Sequence, residues 1–142
     1  MRESILAFTG KEKSREAFRA GAYDPVIEFV GTSDTQLNGL IMFVNEIVKN
    51  IWDHADGKGG LKMVELENGD ISFEIWDDGQ EAYDLKLIGK RRSRLVGNGI
   101  NFGIGLEMIP DFAKCLSVSD FKMDASKGFR YSWVYKPTRR KT

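Results

Sequence analysis

The sequence is poor in the residues that build disulfides, metal sites and membrane spans. Cysteine and histidine occur once each, as Cys115 and His54, which excludes an intramolecular disulfide and a cysteine-based metal knuckle. The longest apolar run, Leu40–Val44, is far shorter than the roughly 20 residues of a membrane-spanning helix. The first residues, Met1–Ser4, do not lead into an apolar segment of signal-peptide length. We therefore expect a cytoplasmic protein that does not enter a membrane.

The chain also lacks a net charge. Its 21 basic residues balance 21 acidic residues, and this argues against a generic nucleic-acid-binding surface, because neutralising phosphates requires an excess of Lys and Arg. The charges are nevertheless segregated along the sequence. Residues 65–84 contain eight acids and no base, and residues 86–94 contain five bases and no acid. The neutral total therefore contains two opposed patches.

The length of 142 residues and the 42% of hydrophobic residues predict one domain with a hydrophobic core. A short polar helix is predicted over residues 11–20, ending at the glycine that follows, and a strand is predicted over Pro25–Val30. The strongest prediction is a long amphipathic helix with Ser33 or Asp34 as its N-cap. Apolar residues recur there at steps of three and four from Leu37 to Ala55, which is the spacing of one helix face.

The second half of the chain favours two β-hairpins separated by a loop and a helix. Alternating apolar residues predict strands on either side of Asn68-Gly69, which we assign to a type I′ turn. Residues 79–102 lose this periodicity and predict a long surface loop, and a helix is predicted from Gly103. Leu116–Phe121 and Phe129–Tyr135 predict the second hairpin. A sheet with helices on one face is an α+β two-layer sandwich.

Three segments carry residues suited to ligand chemistry. Glu46 and Asn50 lie four residues apart on the long helix, and a carboxylate beside a carboxamide suits magnesium. Asp77-Asp78-Gly79 follows a strand, where an acid can accept a hydrogen bond from an exocyclic amine. Gly103-Ile104-Gly105-Leu106 begins a helix whose unpaired amides can bind phosphate. Taken singly, the three segments are explained better by a solvated helix face, a turn and packing glycines respectively.

In this order the three segments resemble the motifs of the GHKL ATPase superfamily, whose Bergerat fold occurs in gyrase, Hsp90, histidine kinases and MutL. Residues 46–55 resemble the N box, Asp77-Asp78-Gly79 the first glycine box and residues 103–109 the second, within a similarity over roughly residues 34–136. The most similar branch contains the anti-sigma-factor serine kinases and the ATP-binding domains of histidine kinases. The resemblance implies a mixed, mostly antiparallel sheet, helices on one face and an ATP lid over residues 79–102.

The resemblance also implies ATP and Mg²⁺ as cofactors and a role for each matching residue. Glu46 would be the catalytic base, Asn50 the magnesium ligand and Asp77 the acceptor for the adenine amine, with Gly79 near the adenine. The residues implied at the phosphates are Gly103, Ile104, Gly105 and Leu106, together with basic lid residues among Lys90, Arg91, Arg92 and Arg94. The sequence departs from the family pattern at Glu81 and Asn101, where glycines are usual.

The length leaves no room for a transducer or chaperone middle domain, so we expect a stand-alone module that acts on a protein partner in trans. The resemblance implies a kinase of the anti-sigma-factor type, which phosphorylates Ser or Thr on a small regulatory protein. Such kinases are usually homodimers, and no direct nucleic-acid contact is expected. The alternatives are a nucleotide-dependent binding module without turnover, the ATP-binding half of a split histidine-kinase system, or a scaffold that binds no nucleotide. Glu81 and Asn101 favour binding without turnover, and the retained Glu46 favours the kinase.

Overall fold

The computed structural model describes residues 2–12, 14–54, 57–79 and 116–138. The helices and strands in this part of the chain are β1 (Glu3–Thr9), α1 (Arg15–Val30), α2 (Leu37–His54), β2 (Lys58–Glu65), β3 (Ile71–Asp77), β4 (Val118–Asp124) and β5 (Arg130–Tyr135). The predicted lid beyond Gly79, the helix predicted from Gly103, and Cys115 lie outside the described residues.

The strands form one sheet in the order β1-β2-β3-β5-β4. Its register places Leu61 between Leu6 and Ile75, and Ile75 opposite Tyr131. α2 packs against β2 and β3, and α1 packs against α2 and β1. The predicted α+β architecture, a sheet covered by helices, is therefore present. Every pairing among the described strands is antiparallel, so the parallel pairing that a mixed sheet requires is not found among them.

Aromatic side chains form the centre of the core between the sheet and α2. Phe73 of β3 stacks on Trp133 of β5 with ring centroids 4.9 Å apart, and Phe43 of α2 meets Trp133 edge-on at 4.7 Å. Full burial of a side chain such as Phe43 contributes about 1.5–3 kcal/mol. The alternation predicted for the last strand is confirmed, because Phe129, Tyr131, Trp133 and Tyr135 are all buried.

The prediction for residues 11–30 is confirmed only in that residues 15–20 are helical, and it is wrong beyond them. A single helix, α1, replaces the predicted short helix ending at Gly21 and the predicted strand over Pro25–Val30. Ser14 caps this helix, its hydroxyl accepting a hydrogen bond from the N–H of Ala17 at 3.1 Å. The helix continues through both breakers because a buried apolar stripe continues with helical spacing, and its burial outweighs the about 3 kcal/mol cost of an interior proline. The stripe consists of Phe18, Ala22, Val26, Phe29 and Val30.

The turn between β2 and β3 is not the predicted type I′ turn. That turn needs positive φ at both Asn68 and Gly69, but Asp120 is the only non-glycine residue in the described part of the chain with positive φ. The N–H of Gly69 donates to the carbonyl of Leu66 at 3.0 Å, and the N–H of Leu66 donates to the carbonyl of Asp70 at 2.8 Å. The loop therefore spans residues 67–69, and Gly69 occupies the left-handed position after a type I turn, with φ 89°.

A buried carboxylate fixes the start of α2 against the end of β5. Asp34, one of the two predicted N-cap residues, is 5% exposed and accepts hydrogen bonds from the Gln36 N–H and the Tyr135 hydroxyl, both at 2.8 Å. It also accepts from the N–H of Thr138 at 2.9 Å. Burial raises the pKa of the Tyr135 phenol, and the hydrogen bond to Asp34 raises it further. The phenol therefore stays protonated as a donor at neutral pH, and α2 is held in one position over the sheet.

Candidate functional site

α2 is the amphipathic helix that the sequence predicted, and it positions the first part of the site. Glu46 and Asn50 lie one turn apart, and each step of four residues turns the side chain by about 40° around the helix. This rotation brings Asn50 into the buried face, where it is 3% exposed, whereas the Glu46 side chain keeps 16% of its surface exposed. The buried stripe beside them consists of Leu40, Phe43, Val44, Ile47, Val48 and Ile51.

Asn50 is buried without the hydrogen bonds that a buried carboxamide needs. Its Oδ1 and Nδ2 atoms are both inaccessible to solvent, and neither has a hydrogen-bond partner among the described residues. An unsatisfied buried polar group costs about 1–3 kcal/mol, and a bound ligand, ion or water is one physical reason for a native protein to keep such a group. Glu12 Oε2 and Trp133 Nε1 are also buried without a partner in the described part of the chain, but only Asn50 lies in a segment that the sequence predicts to bind a metal. The carboxamide oxygen is a hard donor of the kind that Mg²⁺ prefers. Asn50 therefore fits the magnesium role that the sequence implied.

Glu46 is paired with a residue that the sequence reasoning did not select. Its Oε2 lies 3.4 Å from Nζ of Lys49, one turn along α2, and the Lys49 side chain is 19% exposed. An i,i+3 pair of opposite charges is recognisable in the sequence, but that spacing is equally typical of solvated helix faces. The structure shows in addition that both side chains are partly buried. Partial burial strengthens the attraction between the two charges relative to an exposed pair.

Asp77 ends β3 with its carboxylate held in a defined orientation. Its backbone N–H donates to the carbonyl of Phe129, the residue before β5, at 2.9 Å. Its Oδ1 accepts a hydrogen bond from the N–H of Gly79, also at 2.9 Å. This is the turn bond expected of an Asp two residues before its donor. A half-buried carboxylate fixed in this way is a strong acceptor, since water competes weakly for it.

Two glycines bring the backbone against this carboxylate, and we call the group of Asp77, Gly79 and Gly128 the Asp77 corner. Gly128 has φ 66°, and a Cβ built there would lie 2.2 Å from Asp77 Oδ1 and 2.9 Å from the carbonyl oxygen of Gly79. A Cβ on Gly79 would likewise lie 2.9 Å from Asp77 Oδ1. Gly128 was not predicted as a site residue. Its sequence signal was its place in the Ser126-Lys127-Gly128 turn before the last strand.

The topology brings the end of α2 and the end of β3 to the same end of the fold. After His54, which ends α2, the chain returns to the sheet at Lys58, whose carbonyl accepts the N–H of Asp78 at 3.0 Å. Asn50 lies four residues before the end of α2, which is about 6 Å along the helix axis. The predicted magnesium residue and the predicted adenine residue, Asp77, therefore lie towards one end of the fold, on the helix layer and the sheet layer respectively.

The remaining predicted site residues lie outside the described residues. They are Gly103, Ile104, Gly105, Leu106, Arg91 and Arg92. Within residues 2–12, 14–54, 57–79 and 116–138, no three His, Cys, Asp or Glu side chains are grouped as metal ligands. Magnesium commonly uses only one or two protein carboxylates and completes its shell with water and phosphate oxygens. Asn50, with water and phosphate oxygens completing the shell, would be a donor set of that small kind.

The chain matches no protein-family model and no curated protein. Among the helices that the structure describes, none combines the length and apolar character needed to cross a membrane.

Proposed function

We propose that this chain is an Mg-ATP-binding module of the GHKL type, a cytoplasmic regulator that phosphorylates Ser or Thr on a small protein partner, as anti-sigma-factor kinases do. The proposal combines the order of the three motifs with the geometry of Glu46, Asn50 and the Asp77 corner. The observation that carries it is Asn50, a fully buried carboxamide whose two polar atoms have no hydrogen-bond partner among the described residues. A solvated helix face, which was the alternative explanation of this motif, does not account for that burial.

The Asp77 corner supports the adenine end of the proposal. The carboxylate of Asp77 is oriented by the Gly79 N–H, so an exocyclic amine donating to this carboxylate meets an acceptor whose orientation is already fixed. Gly79 is only partly buried, and a flat ring can approach its backbone because it carries no Cβ. A donor to this carboxylate is present on adenine and absent from the corresponding edge of guanine, so the corner favours ATP over GTP.

The chemistry asked of the protein is positioning and charge neutralisation, because phosphoryl transfer needs little covalent participation from the enzyme. Asn50 would hold Mg²⁺ through its carboxamide oxygen. The ion, when bound with ATP, neutralises charge on the phosphates. Glu46 would accept the proton of the attacking hydroxyl and orient that hydroxyl. The partial exposure of Glu46 is compatible with this role, since its side chain keeps 16% of its surface exposed.

Substitution of Glu46 by Gln tests the enzymatic part of the proposal. The wild-type protein should bind Mg-ATP, and a nucleotide at 100 times its Kd should stabilise the fold by about 2.7 kcal/mol in thermal unfolding. Glu46→Gln should keep this stabilisation but form ADP about 100-fold more slowly, because the base is lost and the binding groups remain. A partner captured in the presence of ATP should acquire phosphate on Ser or Thr, which mass spectrometry detects.

Three outcomes would redirect or contradict the proposal. Unchanged ADP formation by Glu46→Gln would contradict the role of this carboxylate as the base. Binding of ATP by the wild-type protein without ADP formation or transfer would favour the nucleotide-dependent binding module. Absence of any thermal shift at millimolar ATP would contradict both the kinase and the nucleotide-dependent binding module.

Asn50→Leu should make the ligand-free protein more stable and remove the magnesium dependence of ATP binding. Leucine has a similar shape and leaves no unsatisfied polar atom in the core, so we expect a gain of about 1–2 kcal/mol in the free energy of unfolding. Urea denaturation measures the gain in the free energy of unfolding. ATP titration with and without Mg²⁺ measures the loss of the magnesium dependence.

Asn45 on the same helix provides the matched control for this substitution. Its Oδ1 accepts hydrogen bonds from Arg19 Nε at 2.8 Å and from the Tyr23 hydroxyl. Asn45→Leu should therefore destabilise the protein by about 1–3 kcal/mol and leave magnesium-dependent binding intact. Equal destabilisation by both substitutions would show that the Asn50 carboxamide is already satisfied in the ligand-free protein.

A further inference from the structure

Lys49 is the one partner of Glu46 that the described residues provide, and its position on α2 is specific. Relative to Glu46, Lys49 lies about 60° to one side around the helix and Asn50 about 40° to the other. The carboxylate therefore lies between an ammonium group and the carboxamide that would hold the metal. The ion pair joins Lys49 Nζ to Glu46 Oε2 at 3.4 Å. No hydrogen bond to Oε1 is found in the described part of the chain.

This arrangement addresses an electrostatic problem of the proposed site. An ionised carboxylate beside a polyphosphate is repelled by it, and partial burial strengthens the repulsion because water screens it less. An ammonium group 3.4 Å from the carboxylate offsets that repulsion without consuming both oxygens. It also restricts the rotamer of Glu46, so that Oε1 remains the atom able to accept a proton from a substrate hydroxyl.

We propose that Lys49 is a positioning residue, which holds the Glu46 carboxylate through Oε2 so that Oε1 acts as the base in phosphoryl transfer to a Ser or Thr hydroxyl. The inference rests on the proposed function, and it assigns to Lys49 no contact with the nucleotide. The proton moves from the substrate hydroxyl to Glu46 Oε1, the hydroxyl oxygen forms a bond to the γ-phosphorus, and the bond to the β,γ-bridging oxygen breaks to release ADP.

The test is a double-mutant cycle with Glu46→Gln and Lys49→Met. Lys49→Met should lower kcat for ADP formation or phosphoryl transfer about tenfold and change the Kd for Mg-ATP less than twofold. Lys49→Arg should restore most of the rate, because it returns a cation to the same place. In the Glu46→Gln background, Lys49→Met should have no further effect on kcat. Lys62→Met is the control, because Lys62 lies on β2 between the buried Leu61 and Met63 and so on the opposite face of the sheet from α2. This substitution should leave kcat unchanged.

Thermal unfolding of the ligand-free proteins gives a readout that does not depend on activity. The midpoint shifts of Glu46→Gln and Lys49→Met should be non-additive, since each substitution removes the same ion pair. Wild-type kcat in Lys49→Met, or an equal additional loss of kcat in the Glu46→Gln background, overturns the role of Lys49 while the proposed function stands. Failure of the proposed function is recognised separately, by a wild-type protein that binds or turns over no ATP, and it overturns the role of Lys49 as well.

Discussion

Asp77→Asn should weaken the binding of both ATP and adenosine by about 1,000-fold while leaving the fold intact. Asparagine keeps an oxygen that can accept the Gly79 N–H, which is the hydrogen bond that orients this side chain in the structure. It removes the charge and turns an amide donor towards the ligand amine, so a charge-assisted bond is lost and two donors face each other. These two effects together amount to about 4 kcal/mol, which is about three powers of ten in Kd. Calorimetric titration with each ligand measures the loss.

Asp78→Asn is the matched control for this substitution. Asp78 is the next residue along the chain, carries the same charge and is exposed. Asp78→Asn should change both affinities less than twofold. Adenosine lacks phosphates and so does not depend on the metal. If Asp77→Asn weakens adenosine binding as much as ATP binding, the lost contact is therefore the one with the adenine. A loss confined to ATP, or an equal loss in Asp78→Asn, would contradict the assignment of Asp77 to the adenine amine.

The sequence was sufficient for elements in which one periodicity runs uninterrupted. Leu37–His54 keeps helical spacing throughout, and β5 alternates cleanly, so both were predicted correctly. The sequence was insufficient for α1, because Gly21 and Pro25 disfavour a helix when the segment is considered alone. The helix forms because its buried apolar stripe, which includes Phe18, packs against α2 and β1. The first strand, β1, was not predicted: its residues are mostly exposed, including Ile5 at 62%, and pairing with β2 forms it.

The site shows the same limit at the level of single residues. The four-residue step from Glu46 to Asn50 predicted that the two side chains are neighbours on one helix, and the structure places them one turn apart on α2. Spacing does not predict that the Asn50 carboxamide lacks partners or that Lys49 is partly buried beside Glu46, since both depend on which side of α2 the sheet covers. Gly128 lies about fifty residues after Asp77, so their contact depends on the pairing of β3 with β5.

Gly128→Ala should destabilise the protein by about 3 kcal/mol and lower the unfolding midpoint by about 10 °C. Alanine at φ 66° costs about 1 kcal/mol. Its Cβ would also lie 2.2 Å from Asp77 Oδ1, and overpacking of this kind costs about 1–3 kcal/mol. The conversion to temperature uses about 2–4 °C for each kcal/mol in a domain of this size. The displaced carboxylate should also lose most of its affinity for adenosine, measured well below the unfolding midpoint.

Gly69→Ala separates backbone strain from the contact with Asp77. Gly69 has φ 89° in the β2–β3 turn, and a Cβ there would meet nothing within 4 Å. Its substitution should therefore cost only the left-handed conformation, about 1 kcal/mol, and leave adenosine binding unchanged. The excess destabilisation of Gly128→Ala over Gly69→Ala then reports the packing of the Asp77 corner. If folded Gly128→Ala protein binds adenosine with wild-type affinity, a displaced Asp77 is tolerated and the adenine amine must be recognised elsewhere.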